Sequence, residues 1–376
     1  MKVLLIPDKF KGSATANEVV NAVTKGIKRA RPSTEIHSFL ASDGGDGFLE
    51  AVCNYLNIKK IKVKTRDPLG RALTTFYLLD KDNDTAYVEM AKASGMELLT
   101  VSEQNPMATS TYGTGLLLKD AILKGAKTIY IGLGGSATND GGIGIAKALG
   151  YVFKDDSNKM IDAIGENLSS IQKISLENSD LIKNVSFFAV NDVQNPLFGP
   201  DGAAHVYGKQ KGATENEISI LDAGLKHLDK IVQKQLHIKN ANVPGAGAAG
   251  GTAYGLKTFL NAEFVVGIDF LLELAKIPEL LTRTSFDFII TGEGKIDSQT
   301  LHGKLINGVV QMGKRFHIPV IGICGKLAID AEQLVALGMK DTLEISDATK
   351  SLEYNMKHAP ELIEFIVYNY FNKTEN

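Results

Sequence analysis

Short apolar runs alternate with helix-forming segments at both ends of the chain. Residues 3–6 are continuously apolar, and Thr15 with Glu18 has the spacing of a capping box, which predicts the start of a helix. Near the other end, the apolar run at 286–290 precedes a glycine-rich loop, and helix and strand patterns then continue to about Phe371, among them a helix capped by residues 330–333 that ends at Gly338. Apolar runs without alternation are typical of strands buried on both faces, so the two ends predict a parallel sheet with helices.

The pattern changes between the two ends of the chain. Three strand-like segments follow one another there before any helix, at residues 61–64, 74–79 and 85–90. We therefore expect a two-domain α/β protein. Residues 1–60 plus 285–376 should form one discontinuous domain, and residues 61–284 an inserted α/β domain with a mixed sheet.

Composition narrows the classes of function. The chain has 376 residues, 44% hydrophobic and 22% charged, as a soluble globular protein has. The 41 Lys and Arg against 43 Asp and Glu give a net charge of -2, which argues against nucleic-acid or membrane binding. The start lacks a secretory signal and no apolar run has spanning length, so we expect a cytoplasmic protein. Cys53 and Cys324 lack metal-ligand spacing, which disfavours zinc.

The 37 glycines of the chain gather in clusters with acidic and hydroxyl residues. Five clusters lie where predicted strands end, at residues 7–13, 42–47, 132–142, 244–251 and 291–297. Ligands of open α/β sheets bind at the carboxyl ends of strands, so these clusters predict one polar cleft. Because glycine lets backbone N–H groups approach an anion closely, phosphate is the expected ligand.

Charged residues in these clusters supply the candidate chemistry. Carboxylates can bind Mg²⁺ through oxygen or accept a proton from a hydroxyl, and each can equally cap a helix or turn. The candidates are Asp8, Asp43, Asp46, Asp140, Asp192, Glu293 and Asp297. Lys11, Arg66 and Lys295 are candidates to contact a phosphate or a substrate carboxylate. Residues 67–71 have the chemistry of a chain-reversing turn, which fits an ordinary hairpin turn and a substrate-binding loop equally well.

Residues 132–137 fit the G-x-G-x-x-A pattern of dinucleotide-binding loops, although several polar residues precede the next helix. A NAD-dependent hydroxy-acid dehydrogenase is therefore one alternative function. A non-catalytic protein that binds small hydroxy acids is another. The chain has no Walker A loop and no Gly-x-Ser-x-Gly elbow, so neither a P-loop nucleotide site nor acyl transfer is supported.

Taken together, the clusters resemble the bacterial type I glycerate kinases over nearly the whole chain. The most specific matches are Gly-Gly-Ser-Ala-Thr-Asn-Asp-Gly-Gly at 134–142 and the stretch at 291–304. The other matching segments are residues 7–13, 43–47, 111–115, 195–197 and 244–251. Lys9, Asp46 and Lys295 stand where the family commonly has Ser, Glu and Arg, and Gln194 stands where it often has an acid.

The resemblance implies an ATP-dependent phosphotransferase with an alcohol acceptor, which transfers the γ-phosphoryl group of ATP to D-glycerate. It also implies a Rossmann-like or flavodoxin-like domain interrupted by the second α/β domain, with the active site in the cleft between them. ATP and Mg²⁺ are the expected cofactors, and a monomer or homodimer is the expected assembly. No nucleic-acid or membrane partner is expected.

The residues and the resemblance together give a predicted site. The catalytic candidates are Asp8, Lys11, Asp43 and Asp192, with Asp43 or Asp8 as acceptor of the glycerate hydroxyl proton. The substrate-binding candidates are Ser13, Asp46, Arg66 and Asn139. The phosphate-binding candidates are Gly113, Thr114, Gly134, Gly135, Ser136, Gly247, Gly250 and Gly251. The Mg²⁺ candidates are Glu293 and Asp297, with Asp192 as a further one.

Overall fold

The structure, a computed structural model, describes residues 1–40, 47–177, 179–297 and 305–373. Its strands are β1 (Lys2–Pro7), β2 (Glu35–Ser38), β3 (Lys59–Arg66), β4 (Ala72–Asp80), β5 (Thr85–Glu89), β6 (Thr128–Gly132), β7 (Tyr151–Lys154), β8 (Lys173–Leu176), β9 (Ser186–Val190), β10 (Glu263–Val265), β11 (Phe288–Ile296), β12 (Val320–Leu327) and β13 (Asp341–Glu344). Its α-helices are α1 (Ala16–Ala30), α2 (Phe48–Tyr55), α3 (Ala91–Ser94), α4 (Tyr112–Leu123), α5 (Ile143–Ala148), α6 (Ala203–Tyr207), α7 (Glu215–Leu236), α8 (Ala248–Leu260), α9 (Gly267–Leu274), α10 (Ile277–Arg283), α11 (Leu305–Arg315), α12 (Ala331–Leu337), α13 (Leu352–Lys357) and α14 (Ala359–Lys373). Within these ranges, no helix combines the length and the apolar character needed to cross a bilayer.

The chain folds as two compact units. Unit 1 consists of Met1–Asp43 and Gly267–Asn376, and unit 2 of Gly44–Val266. The α/β class, a parallel sheet and a mixed sheet are confirmed. The boundaries differ from those expected at 60/61 and 284/285.

Side-chain packing explains where the boundaries fall. Phe48 of α2 lies against Gly132 of β6, where a Cβ would come within 2.6 Å of the Phe48 ring, so α2 belongs to unit 2. Ile268 of α9 lies against Gly308 of α11, where a Cβ would come within 2.5 Å of Ile268, so α9 belongs to unit 1. These contacts join residues far apart in sequence, whereas the sequence-based boundaries rested on the local alternation of strands and helices.

Unit 1 is built on a parallel sheet with the strand order β2-β1-β11-β12-β13. The chain proceeds from β1 to β2 in one direction and from β11 to β13 in the other. The strand order therefore reverses between β1 and β11, which is the topological switch point where flavodoxin-like sheets bind ligands. In the β1–β11 register Pro7 pairs with Gly292, so the residues that follow lie at the carboxyl edge of this switch point.

Local signals in the sequence correctly placed the ends of two unit 1 helices. Thr15 accepts from the Glu18 N–H at 3.2 Å, and the Glu18 carboxylate accepts from the Thr15 N–H at 2.8 Å. The same reciprocal pair forms between Asp330 and Gln333 at the start of α12, which ends at Gly338 in the left-handed region. Both capping boxes are confirmed.

The glycine-rich stretch after residue 290, which we expected to be a loop, continues strand β11 to Ile296. Glu293 pairs with Cys324, and Lys295 pairs with Lys326. A Cβ on Gly292 would come within 2.4 Å of the Ile323 carbonyl, so glycine permits a close approach of β12. The expectation of a loop was wrong because pairing with β12 along the stretch, and with β1 as far as Gly292, outweighs the low strand propensity of glycine.

Unit 2 is built on a mixed sheet with the order β10-β9-β6-β5-β4-β3. Strands β10, β9, β6 and β5 run parallel, and β4 and β3 pair antiparallel. The predicted turn between β3 and β4 is confirmed, because Asp67 Oδ1 accepts from the Leu69 and Arg71 N–H groups at 2.9 Å each. The carboxyl ends of β6 and β9 share one edge of this sheet.

Candidate active site

The loop that leaves β6 folds around a buried carboxylate. Asp140 is fully buried, and it accepts from the N–H and the hydroxyl of Thr111 at 2.8 Å each. It also accepts from the N–H groups of Gly142 at 3.0 Å and Gly144 at 3.3 Å. Burial raises the pKa of Asp140, and these donors oppose the shift. Asp140, a candidate for metal or proton chemistry in the sequence, is therefore a structural anchor of this loop.

Three consecutive backbone N–H groups lie at the start of the same loop. The N–H groups of Gly134, Gly135 and Ser136 have no acceptor among the residues that the structure describes. Gly135 has φ +68, and its carbonyl accepts from the Met96 N–H at 2.9 Å, which fixes the turn. Consecutive N–H groups without protein acceptors are the arrangement that binds phosphate oxygens. This arrangement supports the phosphate-binding prediction for these three residues.

The second predicted phosphate loop lies directly against the first. A Cβ on Gly250 would come within 2.0 Å of the Thr138 carbonyl, and the Gly141 N–H donates to the Gly250 carbonyl at 3.1 Å. Gly250 and Gly251 have φ +67 and +81, which only glycine adopts without strain. This segment opens α8 instead of following a strand, contrary to our expectation. Glycine at 250 is thus required by loop packing.

Gly247 has a packing role as well. Its N–H donates to the Asn195 carbonyl at 2.9 Å, and a Cβ there would come within 2.3 Å of the Pro196 carbonyl. Because its amide is already paired, this N–H is not available to a phosphate in the observed conformation. Phosphate binding by residues 247–251 stays a prediction.

A buried lysine joins this region from a distant part of the chain. Lys211 ends the 3₁₀-helix Lys209–Lys211, and only 7% of it is exposed. Its ammonium donates to Ser136 Oγ at 2.8 Å and to the Thr138 carbonyl at 2.7 Å. Burial lowers the pKa of Lys211 to about 7, an effect that Asp140 partly offsets. Sequence analysis missed Lys211, because nothing in the local sequence separates it from Lys209.

Three buried polar atoms adjoin the lysine contacts. The Thr138 hydroxyl and both polar atoms of the Asn139 amide have no hydrogen-bond partner among the residues that the structure describes. Buried polar groups are normally paired, so such atoms point to a bound ligand or water. Asn139, predicted to bind substrate, lies in the same loop as the Gly134 to Ser136 amides.

Two further candidates of unit 2, Asp192 and Arg66, lie at different places. The Leu133 N–H donates to the Val190 carbonyl at 3.2 Å, so Asp192 leaves β9 beside the start of the glycine loop. Arg66 is exposed at the end of β3, where its guanidinium donates to the Gly70 carbonyl at 3.2 Å. The structure thus brings Asp192 near the amide loop and places Arg66 at the β3–β4 turn.

Gly113 and Thr114 form the first turn of α4. A Cβ on Gly113 would come within 1.9 Å of the Arg66 carbonyl, so this glycine lets the helix approach β3. The Thr114 hydroxyl is fully buried and lies 2.7 Å from Ser94 Oγ. Both residues have packing roles, and their phosphate-binding role stays a prediction.

In unit 1, Asp8 and Glu293 lie side by side at the switch point. The Asp8 N–H donates to the Gly292 carbonyl at 2.8 Å, which continues the β1–β11 register and sets Asp8 beside Glu293. The register then runs from Glu293 to Cys324 and on to Glu344 of β13. Burial and the carboxylates of Glu344 and Glu293 raise the pKa of the Cys324 thiol to about 12, so this thiol stays protonated.

Lys11 and Ser13 belong to the turn that follows Asp8. A Cβ on Gly294 would lie 3.3 Å from the backbone nitrogen of Lys11, so this turn lies against β11. The Ser13 hydroxyl donates to the Phe10 carbonyl at 3.1 Å, whereas the Lys11 side chain is exposed. Asp297 follows β11, with its carboxylate 3.2 Å from the Lys295 ammonium. Asp8, Lys11 and Glu293 are therefore brought together.

Two predicted residues, Asp43 and Asp46, lie outside the described residues. Across the ranges that are described, no three or more His, Cys, Asp or Glu side chains form a group that could hold a metal ion. Glu293 and Asp297 are both half-buried. A metal held by them would need further oxygen ligands.

These features define a class: an α/β protein that has a glycine loop with consecutive amides for an anion and acidic residues that follow strands, as phosphotransferases have. The family model of the glycerate kinase family matches residues 3–374. The chain therefore belongs to the glycerate kinase family, and the family expected from the sequence is confirmed.

Individual relatives agree with this assignment. The chain is 39% identical to a glycerate kinase of Halalkalibacterium halodurans over 363 residues, which cover 96% of this chain and 95% of that protein. It is 39% identical to the glycerate 2-kinase of Escherichia coli K12 over 331 residues, 88% of this chain and 86% of that protein. The crystal structure of a candidate glycerate kinase 2 from Salmonella typhimurium LT2 is similar with a TM-score of 0.81 and 34% identity, covering 100% of this chain and 98% of that one.

Proposed function

We propose that this protein is a glycerate kinase that transfers the γ-phosphoryl group of ATP to a hydroxyl of D-glycerate, giving phosphoglycerate and ADP. Membership of the glycerate kinase family supports the substrates. The observation that carries the proposal is the row of N–H groups at Gly134, Gly135 and Ser136, which lack protein acceptors among the described residues. Phosphoryl transfer requires positioning and charge stabilisation more than a covalent nucleophile, and backbone donors supply both.

The proposed residue roles rest on the sequence and, for the described residues, on where the structure places them. The amides of residues 134–136 would bind phosphoryl oxygens of ATP. Asp8 would accept the proton of the attacking hydroxyl, because its carboxylate lies at the carboxyl edge of β1, and Asp43 is the alternative acceptor. Lys11 and Arg66 are exposed cations that would bind the glycerate carboxylate or the transferred group.

Mg²⁺ is the expected metal, and the available donors suit it. Mg²⁺ prefers oxygen ligands, and in kinases it is usually held by one or two carboxylates together with substrate phosphates and water. Glu293 lies within β11 and Asp297 just beyond its end, and both can bind the ion directly or through its water ligands. We propose that they hold Mg²⁺, with Asp192 as a further candidate. When bound, the ion would neutralise phosphate charge.

A separate proposal concerns which hydroxyl of D-glycerate accepts the phosphoryl group. The Escherichia coli relative is named a glycerate 2-kinase, and on this basis we propose that the 2-hydroxyl is phosphorylated here as well. Phosphorus NMR of the product decides between the isomers. Phosphorus couples to one methine proton in 2-phosphoglycerate, which gives a doublet, and to two methylene protons in 3-phosphoglycerate, which gives a triplet. A triplet would exclude the 2-hydroxyl.

Three further predictions concern the setting of the enzyme. We propose that it belongs to the type I subgroup, that it acts in the cytoplasm and that it is a monomer or homodimer. Both cysteines are free thiols, as is usual in reducing compartments. Sedimentation analysis of the purified chain would decide the assembly.

A coupled assay of ADP release tests the function directly. Purified protein with ATP, Mg²⁺ and D-glycerate should release ADP, and omitting glycerate should abolish the release. A glycerate-dependent change in NADH absorbance without ADP release would instead indicate a dehydrogenase. Glycerate binding with intact ATP would indicate a non-catalytic binding protein. Either result would overturn the proposal.

A further inference from the structure

Lys211 occupies an unusual position for a lysine. Its neighbour Lys209, in the same 3₁₀-helix, is exposed and lies 3.8 Å from the exposed Glu215 carboxylate. Lys211 is instead buried, and its ammonium reaches residues 136 and 138, more than 70 positions earlier in the chain. Burying a lysine is costly unless its N–H groups are well paired, so this position calls for a specific role.

The contact with Ser136 restricts what the serine can do. An ammonium can only donate, whereas a serine hydroxyl has one O–H donor and two acceptor lone pairs. Ser136 Oγ therefore accepts from Lys211, and its own O–H remains to donate elsewhere. No acceptor for that O–H is found in the described part of the chain. Lys211 thus leaves Ser136 as a donor, next to backbone amides that also lack acceptors.

We propose that Lys211 is a positioning residue of the anion-binding loop: it fixes the Ser136 hydroxyl as a donor to an anionic oxygen of the substrate and holds the loop through the Thr138 carbonyl. The inference rests on the proposed function for the identity of the anion, a phosphoryl oxygen of ATP. It goes beyond that function by assigning a role to a residue outside the loop.

A second, independent observation points to a ligand here. The Thr138 hydroxyl and the Asn139 amide, both fully buried, have no hydrogen-bond partners within the described ranges of the chain. In addition, an ammonium carries three N–H groups, and two acceptors for Lys211 are seen. Lys211 and its neighbours thus have unused hydrogen-bonding capacity, as expected of a site that is completed by a ligand.

The test compares four variants: Lys211→Met, Ser136→Ala, the double variant, and Lys209→Met as the matched control. Affinity for ATP is measured directly by calorimetry without glycerate, and KM is measured separately for ATP and D-glycerate. We expect Lys211→Met to weaken ATP binding by about tenfold to a hundredfold, the range for a hydrogen bond that involves a charged group. Ser136→Ala should weaken it about tenfold. KM for D-glycerate should change less than about threefold.

The double variant separates positioning from a general effect on the fold. If Lys211 acts through Ser136, the double variant should bind ATP within about twofold of Lys211→Met alone. If the double variant instead loses ATP affinity by the product of the two single losses, the proposal is wrong. Lys209→Met should bind ATP as the wild type does, and an equal loss there would also overturn it.

Ser136→Ala keeps the test decisive if Lys211→Met does not fold. It removes only the hydroxyl oxygen, so this variant should still fold. Unchanged ATP affinity in Ser136→Ala would refute the proposal, as would a loss of glycerate affinity alone. The outcome is also independent of the kinase assignment. A wild type that binds ATP but does not phosphorylate glycerate would refute the proposed function only, whereas an active wild type with unaffected variants would refute this inference only.

Discussion

Two acidic, glycine-rich stretches of this chain look alike in sequence but differ in surroundings. Residues 134–142 of unit 2 wrap around the buried Asp140, whose oxygens accept from four donors. Residues 291–297 of unit 1 continue a strand, and their acids are half-buried, with Glu293 just past the last residue paired with β1 and Asp297 past the end of β11. A carboxylate inside a closed loop serves the fold, whereas one at the end of a parallel strand is placed to meet a ligand.

The sharpest way to break this comparison is to remove one acid from each stretch. Asp140→Ala leaves two backbone N–H groups of the loop and the Thr111 donors without their acceptor. The free energy of unfolding should therefore fall by about 3–5 kcal/mol. Asp297→Ala, the control, should lower it by less than about 0.5 kcal/mol. Urea unfolding followed by circular dichroism measures both, since the chain has no Trp. Equal losses would contradict the contrast.

The contact between the two glycine loops gives the next largest effect. Gly250→Ala forces a methyl group to within 2.0 Å of the Thr138 carbonyl and imposes φ +67 on a residue with a side chain. We expect a loss of about 3 kcal/mol in the free energy of unfolding. Gly199→Ala is the matched control, because Gly199 has φ +94 with no atom within 4 Å of the added Cβ. It should cost about 1 kcal/mol. If both variants cost the same, the clash is relieved by movement of the loops.

A third change tests the role of Glu293 at the carboxyl edge of the unit 1 sheet. Glu293→Gln should lower kcat/KM by about a hundredfold and raise the Mg²⁺ concentration needed for half-maximal rate, while stability changes little. Glu344→Gln is the control, because Glu344 lies in the same row across Cys324 but pairs with Lys326 and Ser346. Its activity should stay within about twofold of wild type. Comparable losses in both would show that the row acts through its charge alone.

The smallest expected effect is a change with pH in the free energy of unfolding. The pKa of Lys211 is about 7 in the folded protein, against about 10.4 for an unperturbed lysine. Between these values the unfolded chain holds more protons, so the stability of wild type relative to Lys211→Met should rise with pH. From pH 7.5 to 9.5 the difference should grow by about 2 kcal/mol. A difference that does not vary with pH would mean that Lys211 titrates normally.

Features set by neighbouring residues could be predicted from the sequence. The capping boxes at Thr15 and Asp330 depend on residues three positions apart, and the turn at Asp67 depends on residues up to four positions apart. Likewise, the glycines that precede Ser136 belong to a loop that was correctly expected after β6.

Features set by distant contacts could not be predicted. The burial of Lys211 depends on Ser136 and Thr138, and the strand character of Gly292 depends on pairing with β1 and β12. The role of Asp140 depends on Thr111, which lies 29 positions earlier. In each case the sequence identifies a chemical group, but its partners come from another part of the chain.

The pairing of β1 with β11 has a consequence for the order in which the protein is made. The two strands are separated by about 285 positions, as the Thr291 hydroxyl bond to the Ile6 carbonyl illustrates. During synthesis, all of unit 2 leaves the ribosome before the first residues meet their central neighbour. Contacts of such sequence separation form slowly. Unit 2 can therefore fold before β1 pairs with β11. A nascent chain that stalls before Phe288 would expose an apolar strand edge to chaperones and proteases.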